Sequence, residues 1–501
     1  MTPIKENFAI LYYTNNVLNI YSEKTGVQLF LKKRTGIKYL YSRQQDLLTI
    51  LSNLEKNKIK YTAYTRDSLV YRLVINNKYK IRNLSLYLHT TNNFKENYDL
   101  LLKLIKITNK LNINLNSLRT FSISSLAFYI FKNKFYNETQ EKFKVLLRLF
   151  PKEDTFIRKS FFGGRADEYI TKTVSSKTIA AFVNHKKNYY FYDVNSFYAY
   201  LMSNFDMPVG RPQKLLFLES TDFTMSENVF GFLEITFEVN NCSFPVLPYR
   251  DYEKKKISYP NKGKYKGVYF SEEIKLAIAE GYTIIYHSAY LFEKRIIFKD
   301  YVDYFYDLKI NNEDHDIKSI AKNCLNTLYG SFSLNPLNPL VKVIALGNFT
   351  GELPKDLRYL SEDQIQLTIK SNARNVSLSS AISSYGRILM YNYIKKFQPV
   401  YFDTDSLLCC HPLPSELISK KIGFFKTVYK KKIIDFLFVQ IKFYALLFQD
   451  NTQKLVIRGY NENQFIWNFT ELKKTVLAAR AQNKNITMLL KTGKTLTFIL
   501  D

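Results

Sequence analysis

The sequence predicts an α+β fold built from several subdomains that share interfaces. Three observations predict it. A chain of 501 residues with 46% hydrophobic side chains is long enough for roughly three to five packed units. Short β-rich runs such as FAILYY, VLNIYS, VQLFLKK and FGFLEITFEV stand beside helical stretches such as YDLLLKLIKITNKL and SEEIKLAIAEG, so both periods of apolar patterning are present. No internal repeat, low-complexity block or Pro/Gly-rich linker interrupts them, which argues against separate beads on a string.

Taken in order, residues 1–150 alternate strand-like and helical runs, an α/β pattern. Residues 151–307 begin with the glycines at Gly163 and Gly164 and mix strands with the helix SEEIKLAIAEG. A long helix ending at Gly330 occupies 308–340, and a loop-rich insertion fills 341–380. A second β-rich block runs through 381–460, and 461–501 reads as helical and basic.

The 72 Lys and Arg against 44 Asp and Glu leave a formal net charge of +28, which favours a polyanionic partner over a small neutral one. Nucleic acid leads, and the 39 Tyr and 39 Phe offer rings on which bases stack. The four cysteines (Cys242, Cys324, Cys409, Cys410) have neither the paired spacing of a zinc site nor the density of a disulfide framework, so a reducing compartment is expected. The longest apolar candidate, IIDFLFVQIKFYALLF, is broken by Asp435 and Lys442, short of the roughly 18 to 20 residues that span a bilayer. No membrane association is expected. The start, MTPIKENFAILYY, has neither a secretory nor a transit pattern, so a protein acting in an organelle would be made there.

Three stretches carry chemistry. In YFDTDSLLCC (401–410) apolar β-formers flank Asp-Thr-Asp-Ser, which predicts a hairpin with Asp403 and Asp405 at or near its tip. In YYFYDVNSFYAYLM (189–202) an aromatic strand delivers Asp193 to its end and turns into a short helix, with Ser196 in the turn and Tyr198 placed to lie against a sugar ring. In KSIAKNCLNTLYG (318–330) a helix sets Ile317, Ala321, Cys324, Leu325 and Leu328 on one face and Lys318, Lys322, Asn326 and Tyr329 on a polar stripe; Gly330 is read as its C-terminal cap. Two lysines at i, i+4 repel unless an anion such as a polyphosphate sits between them. Asp193 and the hairpin are roughly 210 residues apart, so only a tertiary fold can join them. Like charges about 4 Å apart repel by about 1 kcal/mol in water and about 4 near a protein surface, a repulsion that one or two Mg²⁺ ions, or Mn²⁺ in their place, relieve.

DVNSFY, KNCLNTLYG and YFDTDS, in that order, resemble motifs A, B and C of family B DNA polymerases. FFGG (161–164), NFDMPVGRP and the K-x-Y of IKFYA resemble the protein-primed branch found in bacteriophages and linear mitochondrial plasmids, and the resemblance covers about residues 115–470. It implies a right-hand polymerase of palm (151–307 and 381–460), fingers (308–340) and thumb (461–501), preceded by a truncated or degenerate RNase H-like exonuclease domain (1–150). It implies that Asp193 and Asp405 ligate two Mg²⁺ ions, with Asp403 supporting the hairpin. Tyr198 resembles the steric gate against a ribose 2′-hydroxyl. Ser196, Lys318, Lys322, Asn326, Tyr329 and Gly330 are assigned to the dNTP, and Phe161, Phe162, Gly163, Gly164, Arg387, Lys442 and Tyr444 to primer-template DNA. About 124 residues between Tyr198 and Lys322 and about 73 between Gly330 and Asp403 leave room for the branch's two insertions, one holding a terminal protein primer and one encircling the template.

The resemblance fails in the first 150 residues. The family's proofreading domain opens on D-x-E, yet the first aspartate here is Asp46, and Lys95 stands where the third exonuclease motif around Asp99 has a tyrosine. Proofreading is therefore expected to be lost. The expected protein is a monomeric mitochondrial enzyme, encoded in the organelle. Two rivals stay open: a decayed plasmid-derived relic that only binds nucleic acid, and a metal-dependent glycosyltransferase built on the D-x-D of 403–405.

Overall fold

A computed structural model describes residues 8–14, 17–22, 26–29, 39–42, 46–48, 50–51, 61–66, 69–75, 79–83, 94–113, 122–136, 149–168, 188–217, 223–242, 244–253, 256–334, 340–345, 357–361, 364–369, 374–482 and 484–498. The chain divides into two compact units, one of Met1–Asp154, Val209–Arg211 and Ile296–Ser379, the other of Thr155–Pro208, Pro212–Arg295 and Ser380–Asp501.

The first unit is organised by a ten-stranded sheet. Phe8–Thr14, Val17–Ser22 and Gly26–Leu29 form an antiparallel meander, and Tyr39–Ser42 and Tyr79–Asn83 join it in parallel. The antiparallel strands Leu69–Ile75 and Tyr61–Arg66 extend it. Leu340–Ala345 then pairs with Tyr61–Arg66 and carries Gln364–Ile369 and Leu357–Ser361. The segment 341–380, expected to be rich in loops, thus supplies three strands to a sheet begun roughly 330 residues earlier. Runs such as LVKVIA and QIQLTI are β-branched and alternating, and an open strand edge offers them unpaired backbone groups.

Against this sheet's unit the helix Phe94–Lys110 buries Tyr98, Leu101, Leu104 and Ile105. Glu96 lies in its first turn and Lys110 in its last, both favourable to the helix dipole. The helix Ile123–Ile130, capped by Ser122, runs into a π-turn at Phe131–Phe135. It packs with Lys299–Asn311 and His315–Phe332 through Phe131, Phe298, Tyr301 and Phe332, the Phe131 and Phe298 ring centres lying 4.7 Å apart. Residues 122–136, in the segment expected to be exonuclease-like, thus pack on the helix His315–Phe332, in the segment expected as fingers, and on the preceding helix Lys299–Asn311.

The second unit contains a five-stranded antiparallel sheet in the order Phe425–Thr427, Tyr190–Val194, Ser406–Cys409, Tyr401–Asp403, Ala166–Glu168. A four-stranded sheet of Met207–Leu216, Gly231–Val239, Gly263–Phe270 and Thr283–Arg295 carries the helix Ser271–Ala279. Of the three strands Ile433–Gln440, Phe443–Phe448 and Gln453–Ile457, the central one is buried on both faces. Tyr444, Leu446 and Phe448 pack with Tyr189, Phe191 and Tyr401, while Phe443 and Ala445 pack with Phe469, Leu472, Val476 and Ile486, the period-2 alternation of a strand between two layers.

The C-terminal segment is not the helical block expected. The helix Phe469–Ala481, capped by Asn468, sits beside a sheet of Phe465–Ile466, Ile486–Leu490 and Thr495–Phe498. Thr alternates with apolar residues at 486–488 and Thr495–Phe498, and Gly493 at φ +79° makes the turn between these two strands.

Candidate active site

The hairpin at 401–410 forms where the sequence places it. Tyr401 and Phe402 are buried, Asp403 pairs with Ser406, and Thr404 and Asp405 are the two-residue turn, with Thr404 in the left-handed region at φ +59°. Asp193 lies on the neighbouring strand directly across from Ser406, and the Val194 N–H donates to the Asp405 carbonyl at 2.9 Å. Carboxylates remote in sequence are thereby brought to one end of one sheet. Burial, then the charges of Asp193 and Asp403, push the Asp405 carboxyl up to about 7.

Two lysines face this cluster. Lys426 on the edge strand pairs in register with Asp193, and its Nζ lies 2.5 Å from Asp193 Oδ1. Lys442, at the tip of the hairpin between Ile433–Gln440 and Phe443–Phe448, holds both Asp403 oxygens at 2.5 and 2.8 Å. Its backbone is left-handed at φ +61°, and its N–H donates to the Tyr401 hydroxyl at 3.2 Å. Lys442 was expected on DNA; here its ammonium pairs with both oxygens of Asp403, the hairpin's first carboxylate.

The donor set fits a hard divalent cation. Among the described residues no three His, Cys, Asp or Glu side chains converge to cage a metal. Two aspartates with substrate phosphates and water as the remaining ligands is how Mg²⁺ is usually held, and the crowding that raises Asp405 is relieved by such a charge.

After Asp193 the chain turns through Ser196 at φ +51° into the helix Phe197–Asn204, as expected. Tyr198, in its first turn, lines a cavity together with Gly164, Thr404 and Arg387. FFGG therefore meets the hairpin. The Thr404 N–H donates to the Arg165 carbonyl at 2.8 Å, and a Cβ on Gly164 would stand 2.7 Å from Thr404 Cγ2. Gly163 and Gly164 are exposed, Phe161 is half-buried, and Phe162 is buried, stacked on Tyr269 with centroids 6.0 Å apart. The expected contact with DNA is thus left to backbone and to Phe161, since the Phe162 ring belongs to the core.

Arg387 is displaced from its expected role more completely. It is 6% exposed, and all five N–H donors are spent: Nε and Nη2 on Glu273 at 2.7 Å each, Nη2 also on Ser384, and Nη1 on the carbonyls of Phe162 and Gly163 at 2.8 and 3.1 Å. A guanidinium so occupied has no N–H left to offer a phosphate; it holds the loop expected to contact DNA. Tyr444 is likewise buried, its ring 5.2 Å from that of Tyr401, so the expected packing on a primer sugar is not open to the ring face.

In the first unit, Lys318, Lys322, Asn326, Tyr329 and Gly330 share the helix His315–Phe332. Lys322 and Asn326 are exposed, Lys318 and Tyr329 half-buried, and Ala321, Cys324, Leu325 and Leu328 buried, as the stripe predicted. The helix does not stop at Gly330: it continues to Phe332, and Ser333 is its C-cap. Phe332 is fully buried against Phe128 and Phe298, which outweighs the about 1 kcal/mol cost of an internal glycine.

Glu273 and Lys426 were missed. Neither carries a sequence signal beyond an acidic first helix turn and a short β-run, because each acquires its role from a partner remote in sequence.

The profile of DNA polymerase type B, organellar and viral, matches residues 33–400. A probable DNA polymerase of Neurospora intermedia is 30% identical over 372 residues, which cover 68% of this chain and 36% of that protein. One of Ascobolus immersus is 27% identical over 364 residues, covering 69% and 28%. The chain thus spans about a third of the length of these curated relatives. Phi29 DNA polymerase in its ternary complex with primer-template DNA and incoming nucleotide superposes with a TM-score of 0.68 at 15% identity, covering 98% of this chain and 100% of that one. Its complex with single-stranded DNA gives 0.65. The shared fold is that of a right-hand polymerase. Among the described residues no helix is long and apolar enough to cross a membrane.

Proposed function

The chain belongs to the organellar and viral type B DNA polymerases, and from that premise we propose that it is a DNA-directed DNA polymerase adding dNMP units to a primer 3′-hydroxyl. The observation that carries the reading is the placing of Asp193, on the strand paired with Ser406–Cys409, beside the turn that bears Asp405, whose carboxyl is pushed up to about 7 by burial and by its acidic neighbours.

Asp193 and Asp405 would hold the divalent cations. Bound there, Mg²⁺ lowers the pKa of the attacking hydroxyl and stabilises the charge developing on the pyrophosphate leaving group. The protein's own residues do the rest. Thr404, pinned through its N–H, fixes the turn that presents Asp405. The ring of Tyr198, held at a helix start beside Thr404 and Gly164, limits room for a 2′-hydroxyl. The exposed Lys322, with Lys318 one turn away, offers ammonium groups to the triphosphate, and Asn326, Tyr329 and Gly330 continue the same surface. Ser196 and the exposed backbone of Gly163 and Gly164 offer hydrogen-bonding groups to nucleotide and template.

The finer reading is protein-primed replication of a linear element in the mitochondrion by a monomer, with a terminal protein as primer. The organellar and viral scope of the matching family supports it, as does the four-stranded sheet between Tyr198 and Lys322. Proofreading is proposed to be lost. The first aspartate, Asp46, is buried at 4% exposure, and Asp99 lies on the helix Phe94–Lys110.

Extension of a labelled primer-template tests the reading. Wild type extends it with dNTPs and Mg²⁺, Asp405→Asn loses at least about a thousand-fold in rate while still binding DNA, and omission of dNTPs leaves the 3′ end intact. An inactive wild type would leave a relic that only binds nucleic acid, and 3′ trimming would restore proofreading.

A further inference from the structure

Lys426 has no part in the reading so far, yet its Nζ sits 2.5 Å from the Asp193 carboxylate. Its backbone is tightly placed. Residues 423–428 are sewn to the strand and turn around Asp193: Asn195 N–H to the Phe424 carbonyl at 2.8 Å, Gly423 N–H to the Asn195 carbonyl at 2.9 Å, and Val428 N–H to the Phe191 carbonyl at 2.8 Å. Asn195 Nδ2 donates to the Ser419 carbonyl at 2.7 Å. Gly423, at φ +82°, lies so close to Tyr200 that a Cβ would stand 2.3 Å from its ring. The side chain is the free part, half exposed at 50%.

A fixed strand thus delivers a movable ammonium to a carboxylate that the polymerase reading assigns to a divalent cation. An ammonium and a divalent ion compete for the same oxygen, since neither accepts a hydrogen bond and each repels the other. We infer that Lys426 is a resident counter-cation of Asp193 that weakens divalent-ion binding until a nucleotide brings further negative charge, making it a positioning residue that couples loading of metal to loading of substrate. Lys442 does not duplicate it, because it is spent on Asp403. The inference rests on Asp193 being a cation ligand.

The test is Mn²⁺ binding to the full chain without DNA or nucleotide, followed by loss of the free-ion electron paramagnetic resonance signal. Lys426→Met and Lys426→Gln bind Mn²⁺ roughly three- to ten-fold more tightly than wild type, and Lys426→Arg matches wild type. In primer extension the two neutral variants reach their maximum at lower Mg²⁺. A lesion that merely loosened the strand would weaken binding, so unchanged or weaker Mn²⁺ affinity in both neutral variants overturns the inference. Asp193→Asn separates the two failures. If it binds Mn²⁺ as wild type does, the assignment of the site itself falls and this inference with it; if it loses Mn²⁺ while Lys426→Met and Lys426→Gln show no gain, only the role of Lys426 falls.

Discussion

Replacing Glu273 by Gln should uncouple the FFGG loop from the palm without touching a catalytic carboxylate. Glu273 is 1% exposed and meets Arg387 through two bonds of 2.7 Å. The substitution keeps the shape and removes the charge. Charge-assisted bonds are worth about 1.5–3 kcal/mol each against solvent, but both groups already bear the cost of leaving water, so the measurable quantity is the penalty of stranding one charge. For a buried pair that is about 3–5 kcal/mol. The carbonyls of Phe162 and Gly163 and the Ser384 hydroxyl still accept from Arg387, which places the expectation at about 3 kcal/mol, the low end of that range.

Urea unfolding, followed by a probe in the second unit, measures it. Primer-template affinity, read by anisotropy, should fall as well, because Arg387 fixes the exposed Gly163 through its carbonyl. Arg387→Lys should behave as Glu273→Gln does, since one ammonium cannot span a carboxylate and two carbonyls. The double variant Glu273→Leu/Arg387→Met removes both charges and should recover part of the stability; it should not recover DNA affinity, since the two loop carbonyls then lose their donor. A Glu273→Gln protein within about 1 kcal/mol of wild type, or a double variant with full DNA affinity, would refute the reasoning.

Gly164→Ala should cost about 1–3 kcal/mol and more than ten-fold in extension rate, because its Cβ meets Thr404 at 2.7 Å, whereas Gly163→Ala, with no atom within 4 Å of its Cβ, should retain both; equal effects in a side-by-side assay would contradict the contact. Tyr444→Phe should extend primers at close to the wild-type rate, while Tyr444→Ala should lose about 3–5 kcal/mol in urea unfolding, since the ring is core; a large loss of primer-terminus affinity in Tyr444→Phe would return the residue to the DNA. Lys103 bridges Asp314 and Asp316 at the start of the helix His315–Phe332, 3.0 Å from Asp314, and its part-exposed pairs are worth about 0.5 kcal/mol. Its pKa is raised, by the Asp316 bond first; that of Asp314 is pushed up by burial but lowered on balance, because the Lys103 bond and charge together with the N–H groups of Asp316 and Ile317 outweigh burial. The raised lysine stabilises below about pH 10 and loses that as pH rises through its folded value, and the lowered aspartate stabilises above about pH 4 and loses that as pH falls through its own. The melting-temperature gap between wild type and Lys103→Met should therefore be present near pH 7 and close at both extremes; a gap that persists at pH 2 would exclude the bridge as its source.

What the sequence made legible is what neighbouring residues decide. Asp-Thr-Asp-Ser between apolar flanks dictates a tight turn, and an aromatic run ending in Asp193 dictates a strand with the carboxylate at its end. The spacing of Lys318, Lys322 and Asn326 dictates a shared stripe. Each requires only local geometry, and each is found. Arg387, by contrast, is assigned to primer-template DNA through the family resemblance, with no pattern in its neighbouring residues behind it. Its direction was set by Glu273, 114 residues earlier, and one buried carboxylate outcompetes any external phosphate for a guanidinium already desolvated.

The K-x-Y hairpin shows how far local pattern reaches before tertiary context takes over. Phe443–Phe448 is apolar at every position, so alternation gives no inward face and the run is equally consistent with a strand between two layers or a helix in a core. Only the packing decides. Phe443 and Ala445 enter the C-terminal core, and Tyr444 and Leu446 enter the core shared with the carboxylate sheet. A strand so placed cannot tilt without opening one of two cores, each lined by rings that cost about 3–5 kcal/mol to truncate. That rigidity is what holds Lys442 at its left-handed turn against Asp403. The lysine reaches the acidic cluster because the tyrosine two residues on is unavailable to anything else, so the motif works as a splint whose exposed tip alone does electrostatics.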